Sequence, residues 1–197
     1  MDRLEVRARL ASRNANKARE LERLLPGWEI EQLDALEFPP EEGKTYYDNA
    51  RAKARFGRQV GPAGVWMLGE DSGLEVEGLG GGPGVQSSRS AAGHEVGWLL
   101  RELEGVEGEG RRARYVCELV CLTPDSQEFR GTGTLEGRIA QEPHGSEGFG
   151  FDPIFIPAGE KRTVAELGNE WKAEQSHRAR AARSLLDGLG ETKARLV

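Results

Sequence analysis

The chain has 197 residues, 37% hydrophobic and 30% charged, with 27 glycines and a formal net charge of -6, enough to bury a proper core in one domain or in two lobes. That acidic balance argues against a protein whose main task is gripping a nucleic-acid backbone, which needs a basic field. No apolar run approaches the roughly 20 residues that cross a bilayer, and the opening "MDRLEVRARL" lacks the apolar core of a signal peptide. The expectation is a cytoplasmic protein with no membrane or stable nucleic-acid partner.

Residues 4–12 alternate as a first strand, and "NANKARELERLLPG" carries Ala18, Leu21, Leu24 and Leu25 on one helical face, with Asn14 as its cap and Pro26-Gly27 as its end. A second strand is expected over "WEIEQL". Thr45 and Asp48 have capping-box spacing and open a helix running to about Val60, on which Asn49 and Lys53 share a face. The strand "VWML" is followed by "GEDSGLEV", which reads as an acidic turn or as a metal site, because adjacent acids gain most when a divalent cation neutralises them. "GLGGGPGVQSSR" reads as a loop, residues 94–104 as a helix, and 112–123 with 127–139 as a hairpin. Within it Cys117 and Cys121 fall on one sheet face about 13 Å apart, too far for a disulfide, so buried thiols are expected. "GSEGFGFDPIFIP" leads from a loop into a short strand, and "EWKAEQSHRARAARSLLDGLG" is a helical tail with Ala181, Leu185 and Leu189 as its stripe. The fold class is α/β: a mixed, twisted sheet flanked by helices, in a single domain of two lobes.

Four islands hold polar residues that turns and solubility do not jointly explain. "SRNANK", residues 12–17, lies at a strand-to-helix junction where backbone N–H groups and Lys17 favour phosphate. Glu41 with Asn49 and Lys53 combines an acid from a loop with a base from the next helix. Glu70-Asp71-Ser72-Gly73 offers oxygen ligands to Mg²⁺. Phe149-Gly150-Phe151-Asp152, with Lys172 and Ser176-His177-Arg178, offers rings to stack on a base and donors for its carbonyls. Singly, each reads as a capped helix, a solvated face, a turn or core aromatics; together they are the parts of a nucleotide-hydrolysing enzyme.

In content and order these islands resemble the inosine triphosphate pyrophosphatase family, from "ASRNANKARELERLL" through "EEGKTYYDNARAKA", "GEDSGLEVEGLGGGPGVQSSR" and "GSEGFGFDPIFIP" to "KAEQSHRARA". The resemblance implies a homodimer with a central nucleotide-binding cleft between two lobes. It implies Mg²⁺-assisted cleavage of non-canonical purine nucleoside triphosphates (ITP, dITP, XTP) to the monophosphate and pyrophosphate. Carried over by position, Ser12, Arg13, Asn14, Ala15, Asn16 and Lys17 hold the triphosphate, with Lys53 as a second cation. Glu41 and Asp71 bind the metal, with Glu70 as a further candidate, and Asp71 also accepts the proton of the attacking water. Ser72 contacts substrate; Phe149, Gly150, Phe151 and Asp152 form a base-side wall; Lys172, His177 and Arg178 reach the purine.

The chain departs from the family pattern in four places. Glu70 stands where many members have Asp, Ser12 where Thr is common, Arg13 where a small residue is frequent and Phe151 where Tyr is frequent. A purine's 6-oxo group would distinguish it from adenine through a donor such as Arg178. Rival readings are a pyrophosphatase for modified pyrimidine nucleotides, a nucleotide-binding regulator without catalysis, and a purely structural subunit.

Overall fold

In the computed structural model, which describes residues 6–87 and 93–195 with side chains as far as Glu191, the chain opens β1 (Val6–Leu10), α1 (Ala15–Leu24), β2 (Trp28–Gln32). Asn14 caps α1 by accepting from the Asn16 N–H. β1 and β2 pair in parallel, an arrangement that needs a crossover such as α1. Residues 4 and 5 of the expected first strand lie outside the described residues. α2 (Tyr46–Val60) begins in a complete capping box: Thr45 accepts from the Asp48 N–H and Asp48 from the Thr45 N–H.

The expected acidic turn is wrong. β3 runs Trp66–Val76 and carries Glu70, Asp71, Ser72 and Gly73 inside it, because both carboxylates find cations on neighbouring helices and need no solvent. The glycine-rich segment is also more ordered than expected. Short 3-10 turns at Glu77–Leu79 and Gly84–Gln86 flank a two-residue strand, β4 (Gly82–Pro83), antiparallel to β3; residues 88 and 89 of that expected loop lie outside the described residues. α3 (Glu95–Glu102), β5 (Arg112–Leu122), β6 (Glu128–Ile139) and β7 (Phe155–Pro157) follow. So short a link as residues 123–127 forces β5 and β6 to be antiparallel, and β7 pairs antiparallel with β6. The tail is divided into α4 (Val164–Gln175), which kinks at non-helical Gly168 (φ 88°, ψ 174°), and α5 (His177–Arg195), because Ser176 is extended (φ -65°, ψ 160°) and accepts no helical continuation.

The sheet has seven strands in the order β2-β1-β3-β5-β6-β7, with β4 on β3, a mixed α/β architecture. By contacts the chain forms two compact units. One holds the described residues up to Asp71, Cys117–Gly133 and those from Arg178 onward; the other holds the described residues of Ser72–Val116 and Thr134–His177.

In the first unit, alternate strand residues pack on opposite faces. Leu10, Leu68, Cys117, Leu119 and Cys121 meet Leu21 of α1 and Leu185 of α5, whereas Met67, Val120 and Leu122 meet Ala50 and Ala54 of α2. Gly69 is obligatory there: a Cβ would lie 2.0 Å from the Ala50 carbonyl oxygen and 2.5 Å from the Ala54 nitrogen. Both cysteines are buried free thiols, as their spacing predicted. In the second unit Leu74, Leu99, Leu103, Tyr115, Leu135, Phe155 and Val164 form the core.

Candidate active site

Strand alternation divides the acidic pair of β3. Asp71 follows Met67 and Gly69 to the α2 side, where it is 3% exposed. Its Oδ1 accepts from Lys53 Nζ at 2.9 Å and its Oδ2 from Asn49 Nδ2 at 3.0 Å. Asn49 in turn accepts from the Gly43 N–H at 2.8 Å, tying the loop before α2 to the same amide. Glu41, from that loop, forms an ion pair with the same Lys53 ammonium. Two carboxylates therefore converge on one cation. Burial pushes the Asp71 carboxyl above its ordinary range, against the opposing pull of Lys53 and Asn49. Burial by itself would lower Lys53, but Asp71 and Glu41 outweigh it and hold its ammonium more firmly protonated.

Glu70 follows Leu68 to the other face and is fully buried. Its Oε2 lies 2.6 Å from Lys17 Nζ, and its Oε1 accepts from Arg178 Nε at 3.3 Å and Nη2 at 3.0 Å, with the Cys117 thiol 3.5 Å away. Arg178 Nη1 also pairs with Glu20. Burial would raise the Glu70 carboxyl, yet Lys17 and Arg178 hold it well below the usual carboxylate range. Burial and the Glu70 charge push the Cys117 thiol far up, so it stays protonated.

The turn ahead of α1 is built from its own polar side chains. Ser12 Oγ accepts from the Asn14 N–H at 3.1 Å, Asn14 Oδ1 from the Asn16 N–H at 2.9 Å, and the Ser12 carbonyl from Gln32 Nε2 at 2.9 Å. Arg13 is exposed, its guanidinium 5.5 Å from the Phe38 ring centroid.

The second unit holds the other sequence-predicted group. Asp152, 3% exposed, accepts through Oδ2 from Lys172 Nζ at 2.7 Å and from the Phe149 N–H at 2.8 Å. Lys172 Nζ stands 4.2 Å from the Phe149 ring centroid. Gly148 (φ 81°) is required beside them, since a Cβ would lie 2.2 Å from Asp152 Oδ2. His177 stacks on Tyr115 with centroids 4.5 Å apart and planes at 9°. Ser72, the next residue of β3, is half-buried.

These placements refine the expected roles. Phe151 is 5% exposed and packs in the core of the second unit, whereas Phe149 is half-buried. Asp152 braces the loop and Lys172. Arg178, 2% exposed, sits with Glu20, Lys17 and Glu70. Sequence reasoning missed Tyr115 and Glu20. Tyr115 shares the alternating face of β5 with Ala113 and Cys117 and looks like one more core position; Glu20 looks like a solvated helix residue. Among the described residues no group of three or more His, Cys, Asp or Glu side chains is set to hold a metal. The convergence of Glu41 and Asp71 on one ammonium does fit a hard cation that takes one or two carboxylates and completes its shell with water and phosphate. A groove of about 870 Å³ in the second unit, lined by Glu75, Arg112, Arg114, Glu136 and Arg138 among others, contains none of the predicted site residues.

Comparison with known proteins places the chain as a whole. The dITP/XTP pyrophosphatase of Bdellovibrio bacteriovorus is 41% identical over 191 residues, covering 91% of this chain and 96% of that protein. The one of Thermus thermophilus is 43% identical over 186 residues, covering 90% and 89%. A HAM1 protein from Coxiella burnetii superposes with a TM-score of 0.79 at 34% identity, covering 94% of this chain and 99% of that one. The family model described as Ham1 matches residues 8–188, and the chain therefore belongs to the Ham1 family.

Proposed function

We propose that the chain is a Mg²⁺-dependent pyrophosphatase of non-canonical purine nucleoside triphosphates, dITP, XTP and ITP. It would release the monophosphate and pyrophosphate and so keep these bases out of DNA and RNA. The observation that carries this reading is the convergence of Glu41 and Asp71 on Lys53, with Asp71 buried and oriented by Asn49. Support also comes from family membership and from relatives named dITP/XTP pyrophosphatase. The same resemblance carries a cytoplasmic homodimer with it.

Water attacks the α-phosphorus, the α–β anhydride bond breaks, and pyrophosphate leaves. Asp71, whose raised proton affinity suits the task, takes the proton of that water. Glu41 and Asp71 would hold the Mg²⁺, which neutralises phosphate charge when bound. Lys53 and Lys17 supply fixed positive charge to the triphosphate, and the α1 N-terminus adds backbone donors. Phe149 offers a face for the purine, with Lys172 fixed beside it by Asp152. A donor aimed at the 6-oxo group faces another donor in adenine, and such a mismatch costs several kcal/mol, about 10²-fold or more in kcat/KM.

Pyrophosphate release from dITP, XTP, ITP, dGTP and ATP, with Mg²⁺ and with chelator, tests the proposal. The expected result is metal-dependent release from the first three, at least about 100-fold above ATP; dGTP shares the 6-oxo group and reports separately on contact at the 2-amino position. Asp71→Asn should lower kcat by about two orders of magnitude. Release that ignores the chelator, or Asp71→Asn at the parent rate, would overturn it.

A further inference from the structure

Two neighbouring acids in a pyrophosphatase site invite one role for both, yet β3 sends them to opposite faces. Asp71 joins Glu41, Asn49 and Lys53 on the α2 side. Glu70 is enclosed with Lys17 of α1, Arg178 of α5 and Cys117 of β5: Oε1 accepts from Arg178, and Oε2 is ion-paired with Lys17 but accepts no aligned hydrogen bond. We propose that Glu70 is a positioning residue and not a metal ligand: its carboxylate fixes the Lys17 ammonium and the Arg178 guanidinium, leaving Glu41 and Asp71 as the metal carboxylates.

Three features of the chain carry this. A hard cation that keeps several waters needs an open shell, and the Glu70 side chain is 0% exposed beside Lys17, whereas that of Glu41 is 24% exposed. Oε1 is already met by two guanidinium nitrogens. The two cations come from different helices and both meet Glu70 directly, so Glu70 is their contact carboxylate on the strand that carries Asp71, whose charge Lys17 feels only at longer range. Lys17 has four methylenes and many rotamers; bound to Glu70 it is held in one place before a triphosphate arrives. A longer Glu where many relatives have Asp suits this reach to a cation on each side.

The inference rests on the proposed pyrophosphatase reading, and its test separates the two. The full chain carrying Glu70→Gln is compared with Glu41→Gln and the parent in Mn²⁺ binding, read by electron paramagnetic resonance of the free ion, and in steady-state kinetics on dITP. The expected results are a Mn²⁺ Kd within twofold of the parent for Glu70→Gln and weakened at least tenfold for Glu41→Gln. kcat/KM for Glu70→Gln should fall at least tenfold at saturating metal. In a Lys17→Met background the same Glu70→Gln change should cost less than in the parent, because one of the two groups it acts through is gone and only Arg178 remains. Should the Gln variant melt below the assay temperature, all three chains are compared below its melting temperature. A Mn²⁺ Kd weakened as much by Glu70→Gln as by Glu41→Gln overturns the inference and leaves the proposed function standing. So does a loss in the Lys17→Met background as large as that in the parent. Failure of the parent to release pyrophosphate overturns the proposed function, while the Mn²⁺ comparison still decides the role of Glu70.

Discussion

Glu70 and Asp71 are neighbours with different contact partners, each also feeling the other's lysine. Each is tolerated because burial is matched by cations, two for Glu70 and one bridged to Glu41 for Asp71. Breaking such a buried pair from one side costs roughly 3–5 kcal/mol, since the partner charges stay behind. The pH dependence follows. The Glu70 carboxyl titrates well below its ordinary value in the folded chain, so the unfolded chain takes up the proton first as pH falls. Its stabilisation is complete above about pH 4.3, the ordinary carboxylate value, and is lost as pH drops from there through the folded value. Melting of the metal-free parent and Glu70→Gln from pH 7 to pH 3 should show a gap that narrows below about pH 4.5. A gap that stays constant would mean that Glu70 is not the charged partner described here.

At the scale of elements, α2 is the part that brings Asn49 and Lys53 to Asp71, and its distance from β3 is set by Gly69. A methyl group there would strike the backbone of Ala50 and Ala54, which cannot move as a flexible side chain can. Gly69→Ala should therefore destabilise the chain by about 1–3 kcal/mol and lower kcat by shifting Lys53 from Asp71. Thermal melting and steady-state kinetics would measure both; an unchanged melting temperature would show that α2 has room to yield. Elements of this kind were largely legible from sequence. The caps Asn14 and Thr45, the helical period of α1 and α2 and the alternation of β5 are local signals, and local chemistry decides them. The run through Glu70-Asp71-Ser72-Gly73 was not, because the residues that turn a turn-like string into strand, Lys17, Lys53 and Arg178, lie far along the chain. The break at Ser176 was legible in part: Ser176 reads as a helix cap, although the sequence on both sides is helical.

Across the whole molecule, the order of the islands was more informative than any one of them. It identified the family, which the match over residues 8–188 establishes, and it selected the residues that the structure gathers in each unit. Sequence could not say which charges were committed to one another. Lys172 with Asp152 and Arg178 with Glu20 and Glu70 are buried pairs of distant residues, invisible to spacing. Phe151 likewise differs from Phe149 only in which way a tight loop turns it, with Gly148 and Gly150 at positive φ on either side. The central claim is that the chain cleaves between the α and β phosphates by water attack at the α-phosphorus. Hydrolysis of dITP in ¹⁸O-enriched water, with mass spectrometry of both products, tests it most directly. The account predicts deoxyinosine monophosphate carrying one ¹⁸O beside unlabelled pyrophosphate; a nucleoside diphosphate with labelled orthophosphate, or label in the pyrophosphate, would contradict it.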